Sequence, residues 1–259
     1  MEVITRPNAG QAVSLVARLL LSRVFANPEI VLGMATGRTM EHVYSHLVAS
    51  EVSFKRCSSF NLDEYVGLEP SDPRLYRQYM HDRFFSKIDI DPANTHLPDG
   101  CAADLQKAAA DYEALIDSSG GIDVQLLGIG IAGHIGFNEP LSSIMSRTRA
   151  KALTPATRLQ NAEMFGGDPD NVPTRALTMG VGTILEAKEL ILLATGSAKA
   201  DIVAKAVEGP ITSMVSASAI QLHPNCKVIV DEDAASALQG RDYYDFVFAN
   251  EPEWADYRD

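Results

Sequence analysis

The chain has 259 residues, of which 46% are hydrophobic and 22% charged, and its formal net charge is −12 at pH 7. This composition is typical of a globular protein with a sizeable core, and the negative charge argues against binding to nucleic acid or to an acidic membrane surface. No apolar run reaches the roughly 18 residues of a membrane span, the N-terminus lacks a signal-peptide pattern, and three widely spaced cysteines indicate free thiols, so we expect a cytoplasmic protein.

Segments with helix and strand patterns alternate along the chain, without repeats or low-complexity linkers. Apolar spacing predicts helices over residues 12–25, 40–48, 73–85, 102–116, about 200–207 and 216–222. Strands are predicted over residues 29–34, 58–62, 123–129, 190–194 and 227–230, whereas residues 176–185 have no clear assignment. This alternation predicts an α/β fold with one domain over residues 1–259: an open, mostly parallel, Rossmann-like sheet with helices on both faces.

Four of the predicted strands end in loops that carry polar, small or charged residues. In an open parallel sheet the carboxyl ends of the strands lie at one edge, and ligands bind at that edge. We therefore expect one crevice with two cations, two carboxylates and a histidine. The side chains expected there are Thr36, Arg38, Asp63, His134, Glu139 and Lys199.

The loop with the richest chemistry runs from Gly128 to Pro140 and contains His134 and Glu139. Its glycines allow the backbone to approach a small molecule closely. Histidine titrates near neutral pH, and a nearby glutamate can fix its tautomer, although a core histidine bonded to a backbone carbonyl is the alternative. A metal site is not expected, because no second His or Cys lies at ligand spacing. Of the other histidines, we expect His81 and His96 at the surface and His223 in a turn.

Asp63 and Glu64 are adjacent carboxylates at the end of a predicted strand, so their side chains should point to opposite sides. The carboxylate that faces the crevice would be partly desolvated, which raises its pKa and suits it to move protons. The other would pack or pair elsewhere. Simple turn formation is the alternative, because Asp is common in turns.

Two loops between a strand and a helix carry groups that favour anions. Residues 35–39 combine hydroxyls with backbone N–H groups at a helix N-terminus, although a turn capped by Thr is an equal alternative. The loop matches neither the P-loop nor the dinucleotide-binding pattern. The lysine after residues 195–198 can bind phosphate as a point charge, or is simply solvated. The candidate phosphate ligands are Thr36, Gly37, Arg38, Thr39 and Lys199.

With these motifs in this order, the chain resembles the glucosamine-6-phosphate deaminase (isomerase) family over nearly its whole length. The matching segments are residues 60–68, 133–140, 146–149, 176–185, 206–210 and 222–224. The same broad fold includes 6-phosphogluconolactonases, but the motifs at 63–65 and 137–140 favour the deaminases. The resemblance implies conversion of glucosamine 6-phosphate and water into fructose 6-phosphate and ammonia, with no metal or organic cofactor.

The resemblance also implies roles for individual residues. His134, positioned with Glu139, would shuttle the proton that opens the pyranose ring, and Asp63 would then move a proton between C2 and C1 through an enolamine. Lys199 and the 36–39 loop would hold the phosphate of the amino sugar phosphate. Some relatives are hexamers and others monomers, so a homo-oligomer is open. The residues that match an allosteric site for an acetylated sugar phosphate in some hexameric relatives are Ser142, Arg149 and Lys151.

The sequence departs from the family pattern at a few positions. Ala132 stands where relatives carry an acidic residue or Asn that orients the histidine. Glu163 replaces an arginine that grips the phosphate, while Arg38 replaces Ser or Gly, and Met40 replaces Pro. Our hypothesis is that Arg38 takes over anion binding and pairs with Glu163. These changes leave two alternatives open. One is a paralogue that acts on another amino sugar, such as galactosamine 6-phosphate, and the other is a non-catalytic sensor of sugar phosphates. Retention of Asp63, His134 and Glu139 argues against the sensor.

Overall fold

The computed structural model describes residues 1–258, and at its centre lies a seven-stranded sheet. The strands of the described chain are β1 (Glu2–Arg6), β2 (Val31–Met34), β3 (Ser58–Asn61), β4 (Asp63–Tyr65), β5 (Thr95–His96), β6 (Val124–Leu127), β7 (Arg149–Ala152), β8 (Arg175–Thr178), β9 (Glu189–Ala194) and β10 (Cys226–Asp231). The α-helices are α1 (Ala9–Ala26), α2 (Arg38–Val48), α3 (Tyr76–Arg83), α4 (Leu105–Ser118), α5 (Pro155–Asn161), α6 (Val181–Leu185), α7 (Ala200–Val207), α8 (Glu232–Ala235) and α9 (Arg241–Asn250). Short 3-10 helices include Ala162–Phe165, Ser197–Lys199, Ser216–Leu222 and Pro252–Tyr257.

The strand order of the central sheet is β1-β10-β9-β6-β2-β3-β5, and every neighbouring pair is parallel. From β2 the chain first builds outward through β3 and β5. It then returns to the other side of β2 and continues through β6, β9 and β10. The order therefore reverses between β2 and β6, so the loops after these two strands diverge and leave a crevice at the carboxyl edge. The predicted open, parallel α/β sheet flanked by helices is confirmed.

A second sheet, which the sequence did not predict, is antiparallel and has the order β4-β8-β7. Only Leu62 separates β3 in the central sheet from β4 in this second sheet. The Leu62 N–H donates to the Met34 carbonyl at 3.1 Å, and its own carbonyl accepts from the Met179 N–H at 2.7 Å. Leu62 thus joins the two sheets, and Asp63 begins the second one directly beside the crevice.

Helix α1 covers the central sheet and contributes eight buried side chains to the core. Its 18 residues have a mean hydropathy of 1.3, so by length and composition it meets the criterion for a membrane span, contrary to the expectation from apolar runs alone. It lies against β9, β10 and β1, with Leu15, Leu19 and Leu20 almost fully buried. Its apolar character is therefore explained by packing within the protein.

Most of the predicted elements are present, with boundaries shifted by a few residues. The unassigned residues 176–185 form most of β8 and all of α6, while β1 and α9 were not predicted. One expectation for a histidine is corrected by packing. His96 is half-buried against the Phe60 ring, with ring centroids 4.8 Å apart. His223 is buried, and its Nε2 lies 2.7 Å from the Ala187 carbonyl oxygen.

Candidate active site

A cleft of about 1080 Å³ opens at the carboxyl edge of the central sheet, where the strand order reverses. The loops after β2, β6 and β9 contribute to its walls, together with the start of β4 and parts of α3. Seven predicted site residues line it: Thr36, Gly37, Arg38, Thr39, Asp63, His134 and Lys199. Glu139 does not line the cleft but lies behind His134. The expected convergence of distant loops on one crevice is confirmed.

Asp63 is a buried carboxyl group in the cleft wall, at the first position of β4. The pKa of Asp63 is raised to about 8, mainly by burial and also by the negative charge of Glu64, whereas the hydrogen bond from the Phe137 N–H lowers it. Burial dominates because a carboxylate loses much of its hydration there. A carboxyl group with a pKa near the working pH exists in both protonation states, so it can accept a proton and then donate it.

Glu64 faces away from the cleft, as the alternation along a strand predicts. Its carboxylate accepts hydrogen bonds from the N–H groups of Tyr65 at 2.8 Å, Tyr76 at 2.9 Å and Arg77 at 2.9 Å. The last two belong to the first turn of α3, whose amide groups have no partner within the helix. Glu64 therefore attaches α3 to β4 and fixes one wall of the cleft, while Asp63 remains available for chemistry.

His134 lies in the loop after β6 and is buried. Burial lowers the pKa of its imidazole and Lys199 lowers it further, whereas Glu139 raises it. The net shift is downward, so the imidazole is neutral at pH 7 and is able to accept a proton. Its Nδ1 has no hydrogen-bond partner among residues 1–258, so the alternative of a core histidine held through this nitrogen by a carbonyl is wrong.

Gly130 allows the imidazole of His134 to lie against the backbone of its own loop. A Cβ atom at position 130 would lie 2.1 Å from the His134 Nε2, closer than any real contact. The loop is closed by the Gly130 N–H, which donates to the His134 carbonyl at 2.9 Å. The glycine is therefore required by the close approach of the ring, and sequence analysis gave it no individual role.

Glu139 is buried behind the imidazole, and one of its carboxylate oxygens is fixed by the protein. Its Oε1 accepts a hydrogen bond from the Thr154 N–H at 2.8 Å, just before α5. Its Oε2 lies 3.8 Å from the His134 Nδ1 and has no hydrogen-bond partner within the described residues. Ala132 adds no polar group to this pair, so Glu139 is the acidic group positioned to stabilise a protonated His134.

The loop after β2 presents backbone N–H groups to the cleft. Helix α2 begins at Arg38, and Gly37 precedes it with a φ of 121° and no side-chain cap. The alternative of a turn capped by Thr is therefore wrong. The hydroxyl of Tyr79 contacts Gly37 from α3, 3.1 Å from its carbonyl oxygen. Uncapped amide groups at a helix N-terminus favour a bound anion.

Lys199 contributes a half-buried cation to the lining of the cleft. Its Nζ donates a hydrogen bond to the Ile129 carbonyl at 2.7 Å, and burial lowers the pKa of its ammonium group. The lysine is thus held next to the His134 loop, and the alternative of a freely solvated side chain is wrong. Its remaining N–H donors are available for an anion.

Arg38 and Glu163 form an ion pair at the mouth of the cleft, with the Arg38 Nη1 3.0 Å from the Glu163 Oε2. The predicted pairing of these two residues is confirmed. Their side chains are 84% and 77% exposed, so the pair is open to solvent and free to exchange partners.

Sequence analysis missed the contribution of α3 to the cleft. Tyr76, Tyr79 and Arg83 of α3 line it, and so does Arg74 just before the helix. Tyr76 is buried with its ring stacked on Phe137 at a centroid distance of 6.2 Å. The clustering of Tyr and Arg in this segment was the available signal. Large aromatic side chains are usually buried or form part of a binding surface, and here they supply ring faces to the cleft beside the positive charge of the arginines.

The three residues of the predicted allosteric site do not line this cleft. The Ser142 side chain is buried, and its hydroxyl has no partner within residues 1–258. Arg149 and Lys151 belong to β7 of the second sheet, and the Arg149 Nη1 donates to the Asn138 Oδ1 at 2.7 Å. Their role in regulation stays a prediction.

The sequence profile described as glucosamine-6-phosphate isomerases/6-phosphogluconolactonase matches residues 8–229. The chain belongs to this family. A family member named glucosamine-6-phosphate deaminase from Mycolicibacterium smegmatis is 46% identical over 258 residues, which cover 98% of this chain and 99% of the relative. A member with the same name from Hahella chejuensis is 49% identical over 250 residues, which cover 95% and 92% of the two chains.

Solved structures of the family agree with the fold described above. A monomeric glucosamine-6-phosphate deaminase superimposes with a TM-score of 0.88 at 43% identity, covering 92% of this chain and all of its own. A 6-phosphogluconolactonase from Trypanosoma brucei has a TM-score of 0.72 at 17% identity and shares the fold. Within residues 1–258, no group of three or more His, Cys, Asp or Glu side chains is arranged to hold a metal ion.

Proposed function

We propose that this protein is a cytoplasmic glucosamine-6-phosphate deaminase, which converts glucosamine 6-phosphate and water into fructose 6-phosphate and ammonia. The observation that carries the proposal is that two proton-transfer groups with shifted pKa values line one cleft. The pKa of Asp63 is raised to about 8, and the pKa of His134 is lowered from its usual value. Identity of 46% to a deaminase over almost the whole chain supports the same conclusion.

The first step is the opening of the pyranose ring. The neutral imidazole of His134 accepts the proton of the C1 hydroxyl and returns it to the ring oxygen as the bond between C1 and that oxygen breaks. The transient imidazolium is stabilised by the Glu139 carboxylate, 3.8 Å from Nδ1. The product is an open-chain aldehyde, whose carbonyl makes the proton on C2 acidic.

The second step is a proton transfer between two neighbouring carbons. The Asp63 carboxylate removes the C2 proton while the ammonium group of the substrate gives one of its protons to the C1 oxygen, and the product is an enolamine. The carboxylic acid formed on Asp63 then delivers its proton to C1. The result is an imine at C2, which water converts into the ketose with loss of ammonia. One group serves both carbons because its pKa of about 8 makes both protonation states accessible near neutral pH.

The phosphate is assigned to the end of the cleft formed by the α2 N-terminus and Lys199. The uncapped amide groups after Gly37, the hydroxyls of Thr36 and Thr39, and two cations provide charge-assisted hydrogen bonds. Local positive charge is needed here because the chain as a whole carries a net charge of −12. Arg38 supplies the cation closest to the solvent.

The test is ammonia release from a panel of sugars, with the purified protein and without added metal. We expect release from glucosamine 6-phosphate, with stoichiometric formation of fructose 6-phosphate, and none from unphosphorylated glucosamine. The matched control is the Asp63→Asn variant, which keeps the cleft but lacks the base. Release from galactosamine 6-phosphate alone would indicate a paralogue with another substrate, and binding without release of ammonia would contradict an enzymatic role.

A further inference from the structure

The ion pair between Arg38 and Glu163 joins two segments that are 125 residues apart in sequence. Arg38 is the first residue of α2, where the uncapped amide groups begin, and Glu163 belongs to the 3-10 helix Ala162–Phe165. Both residues line the cleft. The Glu163 carboxylate is therefore paired with the Arg38 guanidinium at the entrance to the anion-binding end of the cleft.

Two other cations of the cleft, Lys199 and Arg74, are held more firmly than Arg38. Lys199 is half-buried and bonded to a carbonyl. Arg74 makes two hydrogen bonds to Asp72, at 2.8 and 2.5 Å, and lies over the Phe165 ring. By contrast, Arg38 makes one contact at 3.0 Å from a largely exposed side chain. Of these three cations, Arg38 can reorient toward an entering anion at the lowest free-energy cost.

The backbone around Glu163 is held in place, so only its side chain needs to move. The Phe165 ring packs edge-on against Tyr65 at a centroid distance of 5.1 Å. The Gly167 N–H donates to the Ala162 carbonyl at 2.8 Å and closes the turn behind the 3-10 helix. Glu163 therefore remains at the entrance whether or not it contacts Arg38, and its charge opposes any anion that enters.

We propose that Glu163 is a resident anion that occupies Arg38 while the cleft is empty and that the substrate phosphate displaces it. Glu163 is then a determinant of affinity for phosphorylated substrates, acting by competition. The inference rests on the proposed function for the identity of the substrate. A phosphate monoester carries a charge of about −1.5 to −2 and three acceptor oxygens, so it is a stronger partner for a guanidinium than one carboxylate.

The size of the effect follows from the exposure of the pair. Exposed ion pairs contribute about 0.2–1 kcal/mol, which corresponds to a change of up to about fivefold in an equilibrium constant. Removing the Glu163 charge should therefore tighten phosphate binding by about two- to fivefold. Removing Arg38 deletes a charge-assisted contact with the phosphate itself, and should weaken binding by about tenfold.

Calorimetric titration with inorganic phosphate tests the proposal in the full-length protein. The proteins compared are the wild type, Glu163→Gln, Arg38→Ala, the double variant, and the control Glu29→Gln. Glu29 pairs with Arg56 at the surface, and these side chains are 67% and 64% exposed, so this control has the same change in charge outside the cleft. We expect tighter binding than in the wild type only for Glu163→Gln. Arg38→Ala and the double variant should both bind phosphate weakly, and their dissociation constants should differ from each other by less than those of the wild type and Glu163→Gln.

Three outcomes would overturn the proposal. Equal dissociation constants for Glu163→Gln and Glu29→Gln would show that the carboxylate does not compete. Wild-type affinity in the double variant would show that Arg38 merely neutralises Glu163. Absence of phosphate binding in all the proteins would remove the competing ligand.

Steady-state kinetics separate this proposal from the proposed function. With glucosamine 6-phosphate, Glu163→Gln should lower KM by the same factor as the dissociation constant for phosphate, with kcat unchanged. A wild-type protein that binds phosphate but releases no ammonia would contradict the deaminase assignment alone. A wild-type protein that releases ammonia, with a KM that neither variant changes, would contradict the competition alone.

Discussion

The Nδ1 atom of His134 and the Oε2 atom of Glu139 lie 3.8 Å apart, and neither has a hydrogen-bond partner within residues 1–258. Both side chains are buried, so water does not screen their interaction as it would at the surface. This distance is too long for a strong hydrogen bond, but it is short enough for the Glu139 carboxylate to stabilise the imidazole electrostatically once His134 is protonated. The Thr154 N–H holds the other oxygen of Glu139, which orients the pair before substrate arrives.

Replacement of Glu139 by Gln should lower kcat by about 100-fold, because the imidazolium formed in ring opening loses its counter-charge. Glu139 raises the pKa of His134, so its removal lowers that pKa further. The neutral imidazole is the active base, so the acidic limb of kcat/KM should move to lower pH. Ammonia release across the pH range measures both effects. A kcat equal to that of the wild type would contradict the role, and Glu186→Gln, at an exposed carboxylate, is the control.

Replacement of Asp63 by Asn should abolish turnover and leave ligand binding nearly intact. The carbon-to-carbon proton transfer has no other base in the proposed sequence of steps, and a loss of at least about 1000-fold in kcat is expected. Binding is measured with the open-chain analogue 2-amino-2-deoxyglucitol 6-phosphate, which bypasses ring opening. Loss of binding together with turnover would indicate a structural role instead.

The same substitution should change the dependence of stability on pH. The pKa of Asp63 is about 8 in the folded protein and about 3.8 when unfolded, so the unfolded state releases this proton first as pH rises. Its contribution to stability is fully present below pH 3.8 and is lost progressively as pH rises toward 8.

Asp63→Asn removes that titration, so the variant should gain in Tm relative to the wild type as pH rises from about 4 to about 9. Each kcal/mol of difference in the free energy of unfolding corresponds to a shift in Tm of about 2–4 °C in a chain near this size. Thermal denaturation of both proteins in matched buffers gives the difference. Parallel Tm curves over the whole range would show that the carboxyl group titrates normally.

The candidate active-site cleft was predictable because most of its main residues lie in loops that follow strands with a clear apolar pattern. The strands before Thr36, His134 and Lys199 are buried in a parallel sheet, and such sheets gather their carboxyl ends at one edge. The orientation of Asp63 and Glu64 followed from the period of two along a strand. These inferences need only local sequence and one rule about sheet topology.

Other parts of the site depend on contacts between distant segments, and local pattern did not reveal them. The Glu64 carboxylate accepts hydrogen bonds from two amide groups of α3, which lie 12 and 13 residues further along the chain. The second sheet begins after the single residue Leu62, too abruptly for a periodic pattern to register. Helix α9 has no fully buried residue, and only Tyr244 and Phe248 pack against the core, so its apolar stripe is too short to predict a helix from sequence.

Gly130 offers the most direct test of how the His134 loop is built. A methyl group there would lie 2.1 Å from the His134 Nε2, so Gly130→Ala must displace the imidazole from its place beside Glu139. We expect kcat to fall by about 10- to 100-fold, since small displacements of a proton-transfer group have effects of this size. Binding of inorganic phosphate should change far less than kcat, because the anion-binding groups lie on other loops and only Lys199 contacts this loop, through the Ile129 carbonyl.

Gly128→Ala is the matched control, because it adds the same methyl group two residues earlier in the same loop. There the nearest atom is the flexible Met40 Cε at 3.4 Å, so the change should reduce kcat far less than Gly130→Ala. Equal losses in the two variants would show that the loop tolerates no added methyl group at all. Retention of full activity in Gly130→Ala would mean that the imidazole does not act from the position seen here. A loss confined to Gly130→Ala, with phosphate binding intact, would support the contact between the ring and this glycine as the feature that positions the base.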